Sequence, residues 1–192
     1  MKSIYLAGPD VFLPDARQAG DAKKRLCQTY GFEGLFPIDN DVHPGAGESL
    51  AFAISRENEA LIQRADIIVA NLTPFRGPSA DAGTLYELGL ARGLGKFLAG
   101  YTNVATPFSN RTRQMFGGSD EHARTPSELT DRDGLTIEDF GLHDNLMIEG
   151  GIHQAGGIFI THQSHDSERY TDLTAFEQVL KHLKNRMDSV AR

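Results

Sequence analysis

Cysteine is nearly missing from this chain of 192 residues: Cys27 stands alone, so no disulfide can form within it. A single thiol fits a reducing, cytoplasmic compartment. Positive charge is also scarce. Lys plus Arg number 19 against 26 Asp plus Glu, for a net charge of −7, and no basic run exceeds Lys23-Lys24-Arg25. A body of that sign repels nucleic-acid backbone and anionic lipid alike, so neither nucleic acid nor a membrane is expected as a partner. No apolar stretch approaches the roughly 20 residues of a membrane helix, and the apolar run near Met1 is too short for a signal peptide.

Several chemical signatures are missing as well. There is no Gly-x-Gly-x-x-Gly turn, no P-loop, no His-Glu-x-x-His and no Gly-x-Ser-x-Gly elbow. Dinucleotide binding, phosphate cradling, zinc hydrolysis and a serine nucleophile lose their usual sequence support, and neither a metal nor a cofactor is expected. Cys27, within an early helical pattern, reads as a packing residue.

What is present is ordinary globular material: 40% hydrophobic and 23% charged residues, enough for one domain with its own core. Five short apolar runs stand out, at Ser3–Leu6, Gly34–Phe36, Asp66–Leu72, Lys96–Tyr101 and Gly157–Thr161. Ile67-Ile68-Val69-Ala70 is apolar without alternation, the mark of a strand covered on both faces. Helical patterns separate the runs: Pro14 to Tyr30, Leu50 to Arg64, Ala82 to Leu94, and a last helix striped by Leu173, Phe176, Leu180, Leu183 and Met187. Strands alternating with helices predict an α/β three-layer, doubly wound, flavodoxin-like domain with a five-stranded parallel sheet. Ligands of such folds sit beyond the carboxyl ends of the strands. That draws attention to Ala7–Pro14, Asn71–Thr84 and the chain after Tyr101. Residues 102–142 show no long apolar period and read as an irregular insertion or lid.

The densest chemistry follows the most apolar strand, in Asn71-Leu72-Thr73-Pro74-Phe75-Arg76-Gly77-Pro78-Ser79-Ala80-Asp81-Ala82-Gly83-Thr84-Leu85-Tyr86-Glu87-Leu88-Gly89. Asp81 sits where a helix begins, and there a carboxylate caps free N–H groups. Glu87 lies six residues on, about 240° around an ideal helix, so the two carboxylates converge only if Asp81 belongs to the loop. Spacing alone leaves two readings, a cap plus a solvated glutamate, or a working pair. Gly83 and Gly89 flank the glutamate at some cost to the helix, as though backbone or ligand must approach closely. Glu87 also has the apolar neighbours Leu85, Leu88 and Leu90, where a carboxylate must be paired or used.

These strings resemble the nucleoside 2-deoxyribosyltransferases. The resemblance rests on Ile4-Tyr5-Leu6-Ala7-Gly8-Pro9, on Ala65-Asp66-Ile67-Ile68-Val69-Ala70-Asn71-Leu72, on Phe75-Arg76-Gly77 with Asp81-Ala82-Gly83-Thr84 and Glu87-Leu88-Gly89, and on Asn145-Leu146-Met147. They occur in family order and span most of the chain. The resemblance makes Glu87 the nucleophile of a two-step, retaining transfer of 2-deoxyribose between bases, the logic that retaining glycosidases also follow. It makes Tyr5 the phenol that orients Glu87, Asp81 the acid that holds sugar hydroxyls, and Asn145 a residue reaching the sugar 5′-OH of a neighbouring subunit, with Met147 nearby. A homo-oligomer with shared sites is implied. Gly8, Pro9 and Phe12 would wall a flat base, Phe75 would add an aromatic contact, and Asp10, Gly77 and Gly83 would line the substrate site. Asn58 falls where many members carry aspartate. An amide both donates and accepts, and asparagine here resembles the purine-handling members, which implies purines, 6-oxopurines included; as a solvent-facing helix residue it says nothing. The expected partners are therefore small 2′-deoxynucleosides and free bases.

Two other functions fit the same fold. A 2′-deoxynucleoside 5′-monophosphate N-glycosidase would transfer the sugar to water and needs a phosphate site, for which Arg111 and Arg113 are candidates while Asp10 and the net charge argue against it. A non-catalytic nucleotide-binding module would show neither activity.

Overall fold

In a computed structural model, which describes residues 1–118 and 129–190, the chain forms β1 (Lys2–Ala7), α1 (Ala16–Thr29), β2 (Phe32–Leu35), α2 (Leu50–Arg64), β3 (Ile67–Asn71), α3 (Ala82–Gly93) and β4 (Phe97–Thr102). It continues through α4 (Phe108–Phe116), a short pair β5 (Leu129–Thr130) and β6 (Thr136–Ile137), then α5 (Leu146–Gln154), β7 (Ile158–Thr161) and α6 (Thr174–Val190). The main sheet is parallel, in the order β2-β1-β3-β4-β7. This is the doubly wound, flavodoxin-like arrangement that the alternating patterns predict.

Every residue of β3 is buried, which explains its unbroken apolar run. Alternation of side chains across the sheet divides the core in two. Ile4, Leu6, Val69 and Tyr101 pack on α1 and α6 through Cys27, Phe176 and Leu180. Tyr5, Ala7, Ile68 and Ala70 face the other way, against Leu61, Ile62, Leu88 and Ala91 of α2 and α3. Period-two geometry thus delivers the Tyr5 ring to the layer that holds α3. Cys27 is fully buried, with its thiol pushed up to about 12 mainly by burial, as befits a packing residue.

The sequence reading is corrected in two places. The second strand begins at Phe32 rather than Gly34. Residues 102–142, read as irregular, contain α4 and the β5–β6 pair; the stretch 119–128 lies outside the described residues, and with it the middle of the expected lid. The helix escaped notice because its inward face is polar: Ser109 and Arg111 are its buried residues. Arg111 donates to the carbonyls of Pro78 (2.8 and 2.6 Å), His143 (2.6 Å) and Thr106, and Ser109 Oγ donates to Asp139 at 2.8 Å. Hydrogen bonds, not an apolar stripe, dock this helix, so hydrophobic periodicity carries no trace of it. Among the described residues no helix is long and apolar enough to cross a membrane.

Candidate functional site

A cleft of about 450 Å³ opens beyond the carboxyl ends of β1, β2 and β3, at the place where strand order reverses. The turn after β1 contributes Gly8, Val11 and Phe12, and the segment after β2 contributes Pro37, Ile38, Asn40 and Val42. Leu50, Ile54 and Asn58 of α2 form a second side, and Asp81, Gly83, Thr84 and Glu87 close it. Among the described residues no Lys, Arg or His lines this cleft, whose charged side chains are two carboxylates.

Asp81 is the N-cap of α3. Its Oδ2 accepts from Thr84 N (2.9 Å) and Thr84 Oγ1 (3.1 Å). Because the cap residue stands in extended geometry, just outside the helix, it escapes the 240° separation and shares the cleft with Glu87. The two readings of Asp81 therefore merge: it caps the helix and lines the cavity. Glu87 is not a solvated helix residue. Tyr5 donates its hydroxyl to Glu87 Oε1 at 2.5 Å, a bond between residues 82 apart in the chain that forms where α3 packs on the sheet face holding Tyr5. Burial pushes the Glu87 carboxyl up to about 7; the Tyr5 hydroxyl opposes that rise and the Asp81 charge adds to it. The Tyr5 phenol is itself raised, first by burial and then by the adjacent carboxylate.

A carboxyl whose folded-state pKa lies above its unfolded value favours folding while it is protonated. That contribution is complete below about 4.5 and is lost as pH rises through about 7. Glu87→Gln keeps an acceptor for Tyr5 without the charge. It is expected to leave the melting temperature near pH 5 almost unchanged and to raise it by a few degrees near pH 8, for at most about 3 kcal/mol. Scanning calorimetry at the two pH values reads this, and coincident curves near pH 8 would refute it.

The other expected site residues divide. Asn58, Gly8, Gly83 and Phe12 line the cleft, and Phe12 is 53% exposed at its mouth. Phe75 stacks on Phe12, centroids 5.2 Å apart, and stands behind the wall rather than in it. Pro9 is buried within the turn, and Gly77 lines a different cavity.

Asp10 does not line the cleft. It is 1% exposed, its Oδ2 2.7 Å from Lys23 Nζ and reached by Asn71 Nδ2 at 3.3 Å. A carboxylate so buried needs its cation, and Lys23 supplies it from α1. Gly8 packs over this pair: a Cβ there would lie 2.8 Å from the Asn71 Cβ and closer still to the Asp10 carboxylate, so the turn needs glycine. Gly89, read as a place of close approach, would meet nothing within 4 Å, so its expense to the helix has no counterpart in the fold.

Asn145 caps α5, accepting from Met147 N at 3.0 Å and donating to Glu138 at 2.7 Å, and Met147 is 67% exposed. Both lie outside the cleft of their own chain. Arg111 is spent on carbonyls, and Arg113 lines a separate surface cavity with Asn110, Gln114 and Gly118. The sequence reading missed the wall after β2 altogether. Pro37-Ile38-Asp39-Asn40, directly beyond a strand's carboxyl end, was the signal that could have found it.

Comparisons with known proteins bear on the family and the fold. The sequence model of the family described as nucleoside 2-deoxyribosyltransferase matches residues 4–147. An uncharacterized protein of Schizosaccharomyces pombe is 32% identical over 199 residues, covering 97% of this chain and 90% of that protein. Among solved structures, a 2-desoxiribosyltransferase from Leishmania mexicana superposes with a TM-score of 0.63 at 31% identity, over 95% of this chain and 99% of that one. A CMP N-glycosidase from Clostridium botulinum shares the fold, with a TM-score of 0.50 at 13% identity over 94% of this chain and 99% of its own.

Proposed function

The chain belongs to the nucleoside 2-deoxyribosyltransferase family, and on that premise we propose that it moves 2-deoxyribose between purine bases through a covalent glycosyl-enzyme on Glu87. The observation that carries this reading is the Tyr5–Glu87 pair set beside Asp81 in a cleft without a cation. With Oε1 held by the phenol, Oε2 is left to attack C1′. The C1′–N9 bond breaks, the purine departs with the electron pair and takes a proton from the medium, and the developing positive charge on the sugar is met by two nearby carboxylates. A second base then attacks C1′ from the opposite side and loses its ring N–H proton to the medium; the C1′–Oε2 bond breaks, Glu87 is freed as the carboxylate and the original configuration is set again. Thr84 occupies Asp81 Oδ2 and leaves Oδ1 for a sugar hydroxyl.

Three features support the substrate class. A phosphate dianion would face Asp81 and Glu87 with no positive side chain among the lining residues, which favours nucleosides over their monophosphates. The arginines that could have clamped a phosphate, Arg111 and Arg113, are held elsewhere. Asn58 offers both a donor and an acceptor to a base edge, which suits purines, 6-oxopurines included. We also take Asn145 and the exposed Met147 as residues presented to the cleft of a second copy, so that the working form is a homo-oligomer with shared sites, in the cytoplasm.

Incubation of deoxyinosine with free adenine tests the reading. Hypoxanthine and deoxyadenosine are expected in equal amounts. Free deoxyribose without deoxyadenosine would make the protein a hydrolase, and no reaction would make it a binding module. Inosine in place of deoxyinosine should scarcely react; equal rates would refute the sugar assignment.

A further inference from the structure

A second cavity, about 420 Å³ and nearly as large as the catalytic cleft, lies between the segment after β3, the middle and last turn of α4 and the loop before α6. Its charged lining is Arg76, Arg111 and Arg169, and among the described residues no Asp or Glu lines it. In a chain of net charge −7, three arginines around one cavity with no acid in its described lining are out of keeping with the rest of the body. Arg111 contributes field rather than free donors. Its N–H groups serve three backbone carbonyls, and the charges of Asp144 and Glu149 act on it from behind. Arg76 and Arg169 are different. Neither has an ion-pair partner among the described residues, and each lays its guanidinium on an aromatic face: Arg76 4.7 Å from the Phe75 centroid and 5.3 Å from that of Phe12, Arg169 4.9 Å from that of Tyr170.

Stacking fixes the plane of a guanidinium and turns its N–H edge outward, the geometry that binds phosphoryl oxygens in pairs, with Arg169 also in hydrogen-bond contact with the Tyr170 side chain. The backbone is prepared to the same end. Asn103 Nδ2 donates to the Arg169 carbonyl at 2.9 Å, and Tyr170 donates to the Pro74 carbonyl at 2.6 Å, so the two loops that carry the arginines are tied together. Arg76 holds φ at +52°, the left-handed region that a branched or long side chain seldom adopts, and it is the one described non-glycine residue that does so. That conformation sends its side chain back over the two rings.

We propose that this arginine cavity is a binding site for a phosphate-bearing small molecule, distinct from the catalytic cleft and joined to it through Arg76 and the Phe12–Phe75 stack. The ligand chemistry is a phosphoryl chain, carried by pyrophosphate or by a nucleotide. The cleft rejects such an anion by its carboxylates, and the cavity on the other side of the aromatic wall attracts it. Since Phe12 belongs to both the stack and the cleft, occupation of the cavity changes the wall against which the base lies.

Isothermal titration of the Glu87→Ala protein with inorganic pyrophosphate, and separately with a deoxynucleoside triphosphate, tests this without any dependence on catalysis. Saturable, salt-sensitive binding is expected for at least one of them. Saturation by pyrophosphate alone identifies the phosphoryl chain as the ligand, and saturation by the triphosphate alone identifies the nucleotide. Arg169→Gln and Arg76→Gln should each weaken binding about tenfold or more, the loss expected for a charge-assisted bidentate contact. Excess deoxyinosine should not displace the anion. Arg169→Gln should leave basal base exchange unchanged, because Arg169 lies outside the cleft. Absence of saturable binding by both anions, an affinity in both arginine variants equal to that of the parent protein, or competition with deoxyinosine would each overturn the proposal.

Discussion

Replacing Glu87 by Ala is expected to lower base exchange by about four orders of magnitude or more while the protein stays folded, the scale on which loss of a covalent nucleophile is felt. No other acid can stand in. Asp81 is committed through Oδ2 to the first turn of α3, and Asp10 is buried against Lys23 away from the cleft. Glu87→Gln should be as inactive, although it keeps an acceptor for the Tyr5 hydroxyl, because an amide oxygen is too weak a nucleophile. The decisive measurement is trapping. Wild-type protein given a deoxynucleoside without an acceptor base should accumulate a deoxyribosyl adduct on the peptide containing Glu87, read by mass spectrometry after acid quench. An adduct on another residue, or full exchange by Glu87→Ala, would end the assignment.

The pH profile is the second large effect. The nucleophile must be ionised, and burial has brought its carboxyl up to about 7. Consequently kcat/KM should rise with pH and level off above neutrality; near pH 5, some two units below, about one hundredth of the plateau remains. The neighbours set the position of that limb in opposite senses. Tyr5→Phe removes the donor that favours the anion, so the limb moves to higher pH. Asp81→Asn removes a like charge, so the limb moves lower, whatever the variant loses in sugar binding. A profile flat between about pH 5 and 8, or a shift of both variants in one direction, would show that Glu87 does not carry the titration.

Much of this site could be read before any coordinates. The β3 run Ile67–Asn71 announces a strand buried on both faces, and the helix after it begins at an aspartate because open N–H groups want a carboxylate. The leucines around Glu87 mark a carboxylate that must be paired or used, though spacing alone also allows a solvated one. What could not be read was how the pieces meet. Tyr5 and Glu87, 82 residues apart, are brought together by the packing of α3 on the β1–β3 pair, which no local pattern records. Asp10 follows β1 as a cleft residue would, yet Lys23, on the buried face of α1, claims it. The polar docking face of α4 leaves no periodic mark, since hydrogen bonds from Arg111 to three carbonyls hold it in place.

Fold class, strand number and the two acidic positions thus follow from local causes: apolar runs, helix starts, and the expense of a carboxylate among apolar neighbours. Which groups share a cavity, how far burial lifts the Glu87 carboxyl, and where the unpaired arginines gather are set only by tertiary structure. Solvation and Coulomb interactions depend on distances through space, and the chain determines those only once the whole sheet has closed.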